Sequence, residues 1–370
     1  MSSALGDDEA APRRANLGGK LAEKNKAAYS LGYLERDNMR IFVTGASGFV
    51  GGAYTKEAGA HHDVMAMSRS QASDAKLVAL GATPVRCDLN NVGPEHLKDC
   101  EVVMHCAAYV EEWGPWSTYW RTNVEGTQRL LSVARKAGVR RFVHIGTEAA
   151  LLKGQDLIEV DETYPLALSS PFPYSRTKAY AEKAVREASD PINGFETIVI
   201  RPRFVWGPGD ETLLPILRRM SENGQFAWVD GGRHKTSTTY IGNLVYAMEL
   251  ALAKGNSGEA YFVLDDGGPV SFRKFLPKLA EAAGFQLTGR EVSAWMVRSM
   301  AFLAEKAWRA LALSGAPPLT RFGANILSHE CILVDAKART QMGYDPPFTR
   351  SQGLSVLAAA STAGCPGQAV

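Results

Sequence analysis

The 370-residue chain, with 45% hydrophobic and 22% charged residues, has globular composition and room for one large α/β domain plus a smaller lobe. A net charge of +2, with Lys and Arg scattered rather than gathered in a stripe, excludes a nucleic-acid footprint. Cys87, Cys100, Cys106, Cys331 and Cys365 are odd in number and lack CxxC or Cys/His ligand spacing. They read as reduced structural thiols, with no metal site, in the cytoplasm or another reducing compartment.

Residues 1–38 are polar, with acidic and then basic patches and no apolar core of a secretory signal. They read as a loosely ordered extension, and tether, targeting segment or longer start all stay open. From Met39 a short apolar strand, Ile41 to Val43, runs into Gly45, Gly48 and Gly51 at intervals of three. Gly45 permits a tight turn, Gly48 lets the backbone approach a pyrophosphate, and Gly51 lets the following helix pack close to the strand. Gly45 and the run Ser47, Gly48, Phe49, Val50 and Gly51 are therefore candidate dinucleotide ligands at a helix N-terminus. The spacing is wider than GxGxxG, so the turn alone is a weak signal.

The first helix runs from Phe49 to about Gly59, and the second strand from His62 to Ser68. A carboxylate at that strand end would bind the ribose of NAD, whereas Ser68 and Arg69 stand there. An Arg beside small hydroxyls suits a 2′-phosphate, so NADP(H) is favoured over NAD(H). The third strand, Pro84 to Leu89, ends in Asp88 and Leu89. The fourth, Glu101 to Ala108, ends in small residues that leave room for a ligand. An amphipathic stretch from Ser117 to Ala137 precedes the strand Arg140 to Thr147. This alternation predicts a doubly wound parallel sheet of the Rossmann type.

Past Pro171 and Pro173, helical spacing puts Tyr174 and Lys178 on one face as i and i+4. The strand Phe195 to Pro202 follows, then a Gly/Pro-rich loop. Beyond Asp210 the alternation breaks down, and helical stretches at Glu211 to Ser221 and Ile241 to Ala253, the strand EAYFVLDD, and helices from about Ser271 and Val292 suggest a smaller, interleaved substrate lobe. The expected boundaries are 39–202 for the NADP-binding domain, 203–357 for the lobe with segments returning to that domain, and 358–370 for a loose tail.

TGASGFVG (Thr44 to Gly51), DL (Asp88, Leu89), HCAA (His105 to Ala108), TNVEGT (Thr122 to Thr127), IGTEA (Ile145 to Ala149), YSRTK (Tyr174 to Lys178) and RPRFVWGPG (Arg201 to Gly209) occur in that order. Together they make the chain resemble the extended short-chain dehydrogenase/reductase superfamily from about Met39 to Leu357. PPLTRF (Pro317 to Phe322) and ILVDAKARTQMGYDP (Ile332 to Pro346) look like the branch of 3β-hydroxysteroid dehydrogenases, sterol 4-carboxylate dehydrogenases and 2-alkyl-3-oxoalkanoate reductases. The resemblance implies Tyr174 as proton donor and acceptor, Lys178 on the nicotinamide ribose, and Thr147 hydrogen-bonding the substrate oxygen. It implies a structural or water-ordering Asn123, cofactor contacts at Asp88, Leu89, Ala107 and Ala108, and Pro202 and Val205 on the nicotinamide side. A phenol is a poor base at neutral pH, but a nearby ammonium and the nicotinamide charge both favour phenolate, which agrees with that casting. The chain departs from the family at Glu148 and Ala149, where dehydratases carry an acidic pair. Glu148 is expected to be a polar lining residue or an N-terminal helix charge.

Sugar-nucleotide relatives grip a diphosphate with an Arg-Asp where this chain has TSTTYIGN (Thr236 to Asn243), so an uncharged substrate is expected. Trp113, Trp116, Tyr119 and Trp120 crowd the presumptive substrate mouth and suit a hydrophobic ketone or alcohol. Arg203 and Arg233 stay available for an acidic group, as on a β-keto or carboxylated lipid. Residues 292–313 are expected to form a buried amphipathic helix of the lobe, with peripheral membrane contact as the alternative. A homodimer through helices including Tyr174 to Glu187 is common among relatives. The expected activity is NADP(H)-dependent oxidoreduction of a ketone/alcohol pair on a small hydrophobic substrate. The alternatives are a nucleotide-sugar epimerase or dehydratase, and a cofactor-sensing binding protein that would have no need of Tyr174 and Lys178.

Overall fold

The computed structural model describes residues 38–363; residues 1–37 and Cys365 lie outside the described residues. The described residues from Asn38 to Ala363 belong to one compact unit. Seven parallel strands build its main sheet: β1 (Arg40–Thr44), β2 (Asp63–Ser68), β3 (Thr83–Arg86), β4 (Val102–His105), β5 (Arg141–Ile145), β6 (Glu196–Pro202) and β7 (Glu259–Val263). Their spatial order is β7-β6-β5-β4-β1-β2-β3. Ile41, Phe42 and Val43 are buried, the continuous apolar run that a parallel strand covered on both faces needs. The strand order reverses between β1 and β4, which opens a crevice at their carboxyl ends.

The helices that position the site are α1 (Phe49–Ala58), α2 (Gln71–Ala79), α3, which runs on through Trp116–Tyr119, Trp120–Glu125 and Gly126–Lys136, α4 (Pro173–Glu187) and α5 (Ile241–Lys254). The middle segment of α3 is a π-helix. Leu130, Leu131 and Ala134 of α3 and Val185 of α4 pack with Phe42, Val103, Phe142 and Val199 of the sheet.

The alternation expected to end at Asp210 resumes after an insertion. Among the segments expected over 203–357, α5 and β7 are ones that return to the main domain: α5 packs on α1, β5 and β6, and β7 pairs with β6 at the edge of the main sheet. The reason is composition, since nearly every residue of α5 is apolar or small and buried, which suits a helix wedged between a sheet and another helix.

The lobe holds a small sheet in the order Val270–Ser271, Lys235–Thr236, Cys331–Leu333, Leu157–Val160, together with α6 (Ala294–Ala310) and α7 (Arg321–Ser328). The helix α6 reverses the expectation of burial. Its small residues Ala294, Val297 and Ala301 face inward, while Trp295, Met296, Met300, Phe302 and Leu303 are exposed. Of the tail expected to be loose, residues 358–363 continue the helix α8 (Arg350–Ala363) through the strong helix formers Ala358, Ala359 and Ala360, and residues 364–370 lie outside the described residues.

Candidate active site

The glycine turn sits at the crevice. Gly45 has φ +68°, and a Cβ there would lie 2.7 Å from the Ala107 amide nitrogen, so the turns after β1 and β4 approach this closely only because the residue is glycine. A Cβ on Gly51 would lie 2.2 Å from the Gly45 carbonyl oxygen. Gly48 differs: it is exposed, and a Cβ there would meet only the Gly45 oxygen, at 3.4 Å. Gly48 is the N-cap of α1 and no side chain caps the helix, so the first N–H groups, beside Ser47, Phe49 and Val50, face an open cradle. The cradle fits a dinucleotide pyrophosphate.

At the end of β2, Ser68 is buried and its hydroxyl donates to the Ser70 carbonyl at 3.2 Å, while the Ser70 hydroxyl caps α2 by accepting from the Ser73 amide at 3.2 Å. Arg69 is exposed and has no ion-pair partner among the described residues. The Asp88 carboxylate folds its own loop by accepting from Asn90 and Asn91, and buried Leu89 packs beneath Gly126. Ala107 is fixed by donating its amide to Thr44 Oγ1, Ala108 follows half-buried, and Pro202 and Val205 flank the end of β6.

Pro173 starts α4, Tyr174 follows it directly, and Lys178 lies one turn further in. Lys178 is buried, and its Nζ donates to the Ile145 carbonyl at 2.8 Å and lies 3.3 Å from His144 Nε2. Burial lowers the lysine pKa to about 8, against the opposing pull of Glu182 and Cys106. Tyr174 packs edge-on against Phe322 of α7, ring centres 5.5 Å apart. Burial first, and the charge of Glu148 second, push its phenol above the ordinary range, while a hydrogen bond with Thr147 pulls the other way.

Three polar residues missed by the sequence reading line up beneath this pair. Parallel register places Thr44 beside His105 and His105 beside His144. His105 bridges Thr44 Oγ1 at 2.7 Å and Thr127 Oγ1 at 2.9 Å, and burial, then Lys178, lower its pKa to about 3. The same causes, with His105 added, hold His144 well below the usual imidazole range. Both rings are thus neutral, and Lys178 is the cation of this cluster. The available signal was a polar residue ending an apolar strand.

Asn123 lies in the π segment of α3. Its Oδ1 accepts from the Tyr109 amide at 2.7 Å, and its Nδ2 donates to the Tyr109 carbonyl and to Thr177 Oγ1, both at 3.1 Å. It ties the loop after β4 to α4. Thr147 caps the short 3-10 turn Glu148–Leu151 by accepting from the Ala149 amide, and donates its own proton to Glu148 Oε2 at 2.9 Å.

The expected pocket residues are only partly brought together. Arg203 does not stay available for a substrate acid, because it is buried in an ion pair with Glu148, Nη1 to Oε1 2.5 Å. Arg233 is exposed near Glu291. Trp116 lies on the far side of α4: its ring is tilted against Trp120 and lies under Arg176, and Trp120 meets Tyr180 edge-on. Positions 176 and 180 point away from 174 and 178 on a helix, so Trp116 does not line the Tyr174 face. Tyr119 is buried against Tyr109, and Trp113 packs under Arg309 of α6. The sequence reading missed Phe322 as the aromatic wall of Tyr174.

A Rossmann sheet with a phosphate cradle, and a Tyr/Lys pair at its crevice, defines an oxidoreductase that acts on CH–OH and C=O groups with a nicotinamide dinucleotide. Residues 41–263 match the NAD dependent epimerase/dehydratase family, and the chain belongs to that family, among the extended short-chain dehydrogenases/reductases. It is 40% identical over 329 residues to the 4-hydroxy-2-methyl-3-oxo-4-farnesyl-3,4-dihydroquinoline-1-oxide ketoreductase of Stigmatella aurantiaca, covering 88% of this chain and 98% of that one. It is 33% identical to the 2-alkyl-3-oxoalkanoate reductase of Stenotrophomonas maltophilia, covering 88% and 100%. Among solved structures, the Streptomyces venezuelae dTDP-glucose 4,6-dehydratase DesIV shares the fold, with a TM-score of 0.69 at 22% identity and coverage of 88% and 98%.

Proposed function

We propose that the protein is an NADP(H)-dependent ketoreductase that interconverts a ketone and a secondary alcohol on a hydrophobic substrate. The observation that carries this reading is Tyr174, held between Phe322 and Thr147, one helical turn from buried Lys178. A phenol kept neutral is an acid, and it donates its proton to the carbonyl oxygen as that oxygen gains charge. The Lys178 ammonium favours the resulting phenolate, and the aromatic wall excludes water. The nicotinamide, when bound, supplies the hydride. The ketoreductase and reductase relatives, one named for a farnesyl-bearing and one for an alkyl-bearing substrate, support an apolar substrate.

Arg69, exposed at the end of β2 and without an ion-pair partner among the described residues, supports the preference for NADP(H) over NAD(H). Against a sugar nucleotide, the hydroxyls of Thr236 to Thr239 are occupied within the protein: Thr236 accepts from Arg203, Ser237 from the Leu333 amide, Thr238 donates to Asp265 and Thr239 to the Val263 carbonyl. An acidic group on the substrate would instead meet Lys153, Arg298 and Arg321, which line a cavity of about 520 Å³ with Phe172, Phe302 and Asn325.

Two contacts complete the proposal. The exposed apolar side of α6, flanked by Arg298, Lys306 and Arg309, makes peripheral contact with an anionic membrane surface. A second copy of the chain packs on the α3/α4 face that carries Trp116 and Tyr180. Among the described residues no helix is long and apolar enough to cross a membrane.

The test is a screen of NADPH oxidation and NADP reduction across steroids, β-keto lipids, aryl ketones and UDP-sugars, with Arg69→Ala alongside. Turnover confined to apolar ketones and alcohols, with NADP weakened far more than NAD by the substitution, is expected. Turnover of UDP-sugars alone, or equal effects on the two cofactors, would overturn it.

A further inference from the structure

We propose that His144 is the positioning residue of Lys178: its bare Nε2 accepts one ammonium proton and the Ile145 carbonyl a second, which leaves a single proton for a ligand in the crevice. The inference rests on the ketoreductase reading and deepens it. Its consequence is that the neighbouring rings of His105 and His144, with centres 5.1 Å apart, hold opposite tautomers.

The tautomer of His105 follows from its neighbours. The Thr127 hydroxyl spends its proton on the Asn123 carbonyl at 2.8 Å, so His105 Nε2, 2.9 Å from that hydroxyl, has to donate to it. His105 Nδ1 is then bare and accepts from Thr44 Oγ1 at 2.7 Å, and the same oxygen accepts from the Ala107 amide at 3.2 Å. Every donor along this chain has an acceptor.

His144 obeys the reverse rule. Lys178 Nζ lies 3.3 Å from its Nε2 and donates to the Ile145 carbonyl at 2.8 Å. An ammonium has three protons and no lone pair, so a ring proton on Nε2 would face another proton. Nε2 is therefore bare, and Nδ1 carries the ring proton. Nδ1 is buried without a partner among the described residues in either tautomer, so it does not choose between them, and the lysine does. When Lys178 loses its third proton, both inner bonds stay. The lysine thus keeps one orientation in its two charge states, and the proton that comes and goes is the one left for the ligand.

The titratable and charged groups around Lys178 are His144 from β5, His105 and Cys106 at the end of β4, and Tyr174 and Glu182 on its own helix, with Glu182 paired to Arg201 of β6. Two-bond proton–nitrogen correlation spectra of the protein with isotopically labelled histidine read both rings without substitution or turnover. At about pH 5, where an ordinary imidazole is charged, two rings should stay neutral, one with its proton on Nε2 and the other with its proton on Nδ1. Protons on Nε2 of both rings overturn the proposal.

The pH profile of ketone reduction separates positioning from packing. In His144→Leu the midpoint of its decline should fall from about 8 to about 6–7, the worth of one hydrogen bond to a charged group. In His144→Gln, whose side-chain oxygen stands in for Nε2, the midpoint should stay near 8. A structural His144 would leave the midpoint unmoved in both variants, and a general change of polarity would move it in both; either result overturns the proposal. If the variants do not fold, the spectra of the unsubstituted protein decide. An enzyme inactive on every ketone would defeat the ketoreductase reading while those spectra still answer.

Discussion

Two glycines in one turn should respond in opposite ways to the same substitution. In Gly51→Ala the new Cβ would stand 2.2 Å from the Gly45 carbonyl oxygen, so α1 must move by about 1 Å from β1. Overpacking of this kind costs about 1–3 kcal/mol, and a melting temperature lower by roughly 1–4 °C is expected for a unit of this size. In Gly48→Ala the backbone is extended at φ −87°, a conformation any residue adopts, and the Cβ meets only one oxygen at 3.4 Å. The small loss from alanine at an N-cap and the small gain from a stiffer unfolded chain nearly cancel, so the melting temperature should stay within about 0.5 °C. The methyl group does fill the cradle. Loss of one hydrogen bond to a charged phosphate corresponds to dinucleotide binding about 10- to 100-fold weaker. Thermal melts and fluorescence titration with NADPH measure both quantities. Equal melting losses at the two positions, or wild-type affinity in Gly48→Ala, would refute this account of the turn.

The remaining predictions concern charge and surface. Lys178 carries a lowered pKa of about 8, so its ammonium is present below that pH and lost above it. Ketone reduction should therefore decline as pH rises through about 8, and a profile flat to the ordinary lysine range would separate Lys178 from the reaction. Replacing exposed Trp295 and Leu303 by Glu should leave folding intact and reduce sedimentation with anionic vesicles. Equal sedimentation of variant and parent would remove the membrane contact.

What could be read from the sequence was local. Gly45 to Gly51 and Tyr174/Lys178 each lie within a few residues, where a turn or a helical period fixes geometry. The strands of the main sheet announced themselves as short apolar runs. Features that depend on register or long-range packing stayed hidden. Thr44, His105 and His144 become neighbours only once three strands align, and Arg203 meets Glu148 across 55 residues. Phe322 reaches Tyr174 from a helix of the lobe, and no short-range pattern marks that contact. Trp116 was misplaced because its position after the fourth strand says nothing of which side of α4 it meets, and its ring lies under Arg176 and beside Trp120. For 292–313 the buried and the outward apolar side stayed alternatives because an amphipathic period is the same whichever face meets the core.

The central claim is that Tyr174 moves the proton in a ketone/alcohol interconversion, and Tyr174→Phe tests it most directly. With an apolar ketone found active in the screen, the variant should lose about 10²- to 10⁴-fold in NADPH-dependent turnover while binding NADPH as the parent does. Turnover within a factor of a few of the parent, with the cofactor still bound, would contradict it.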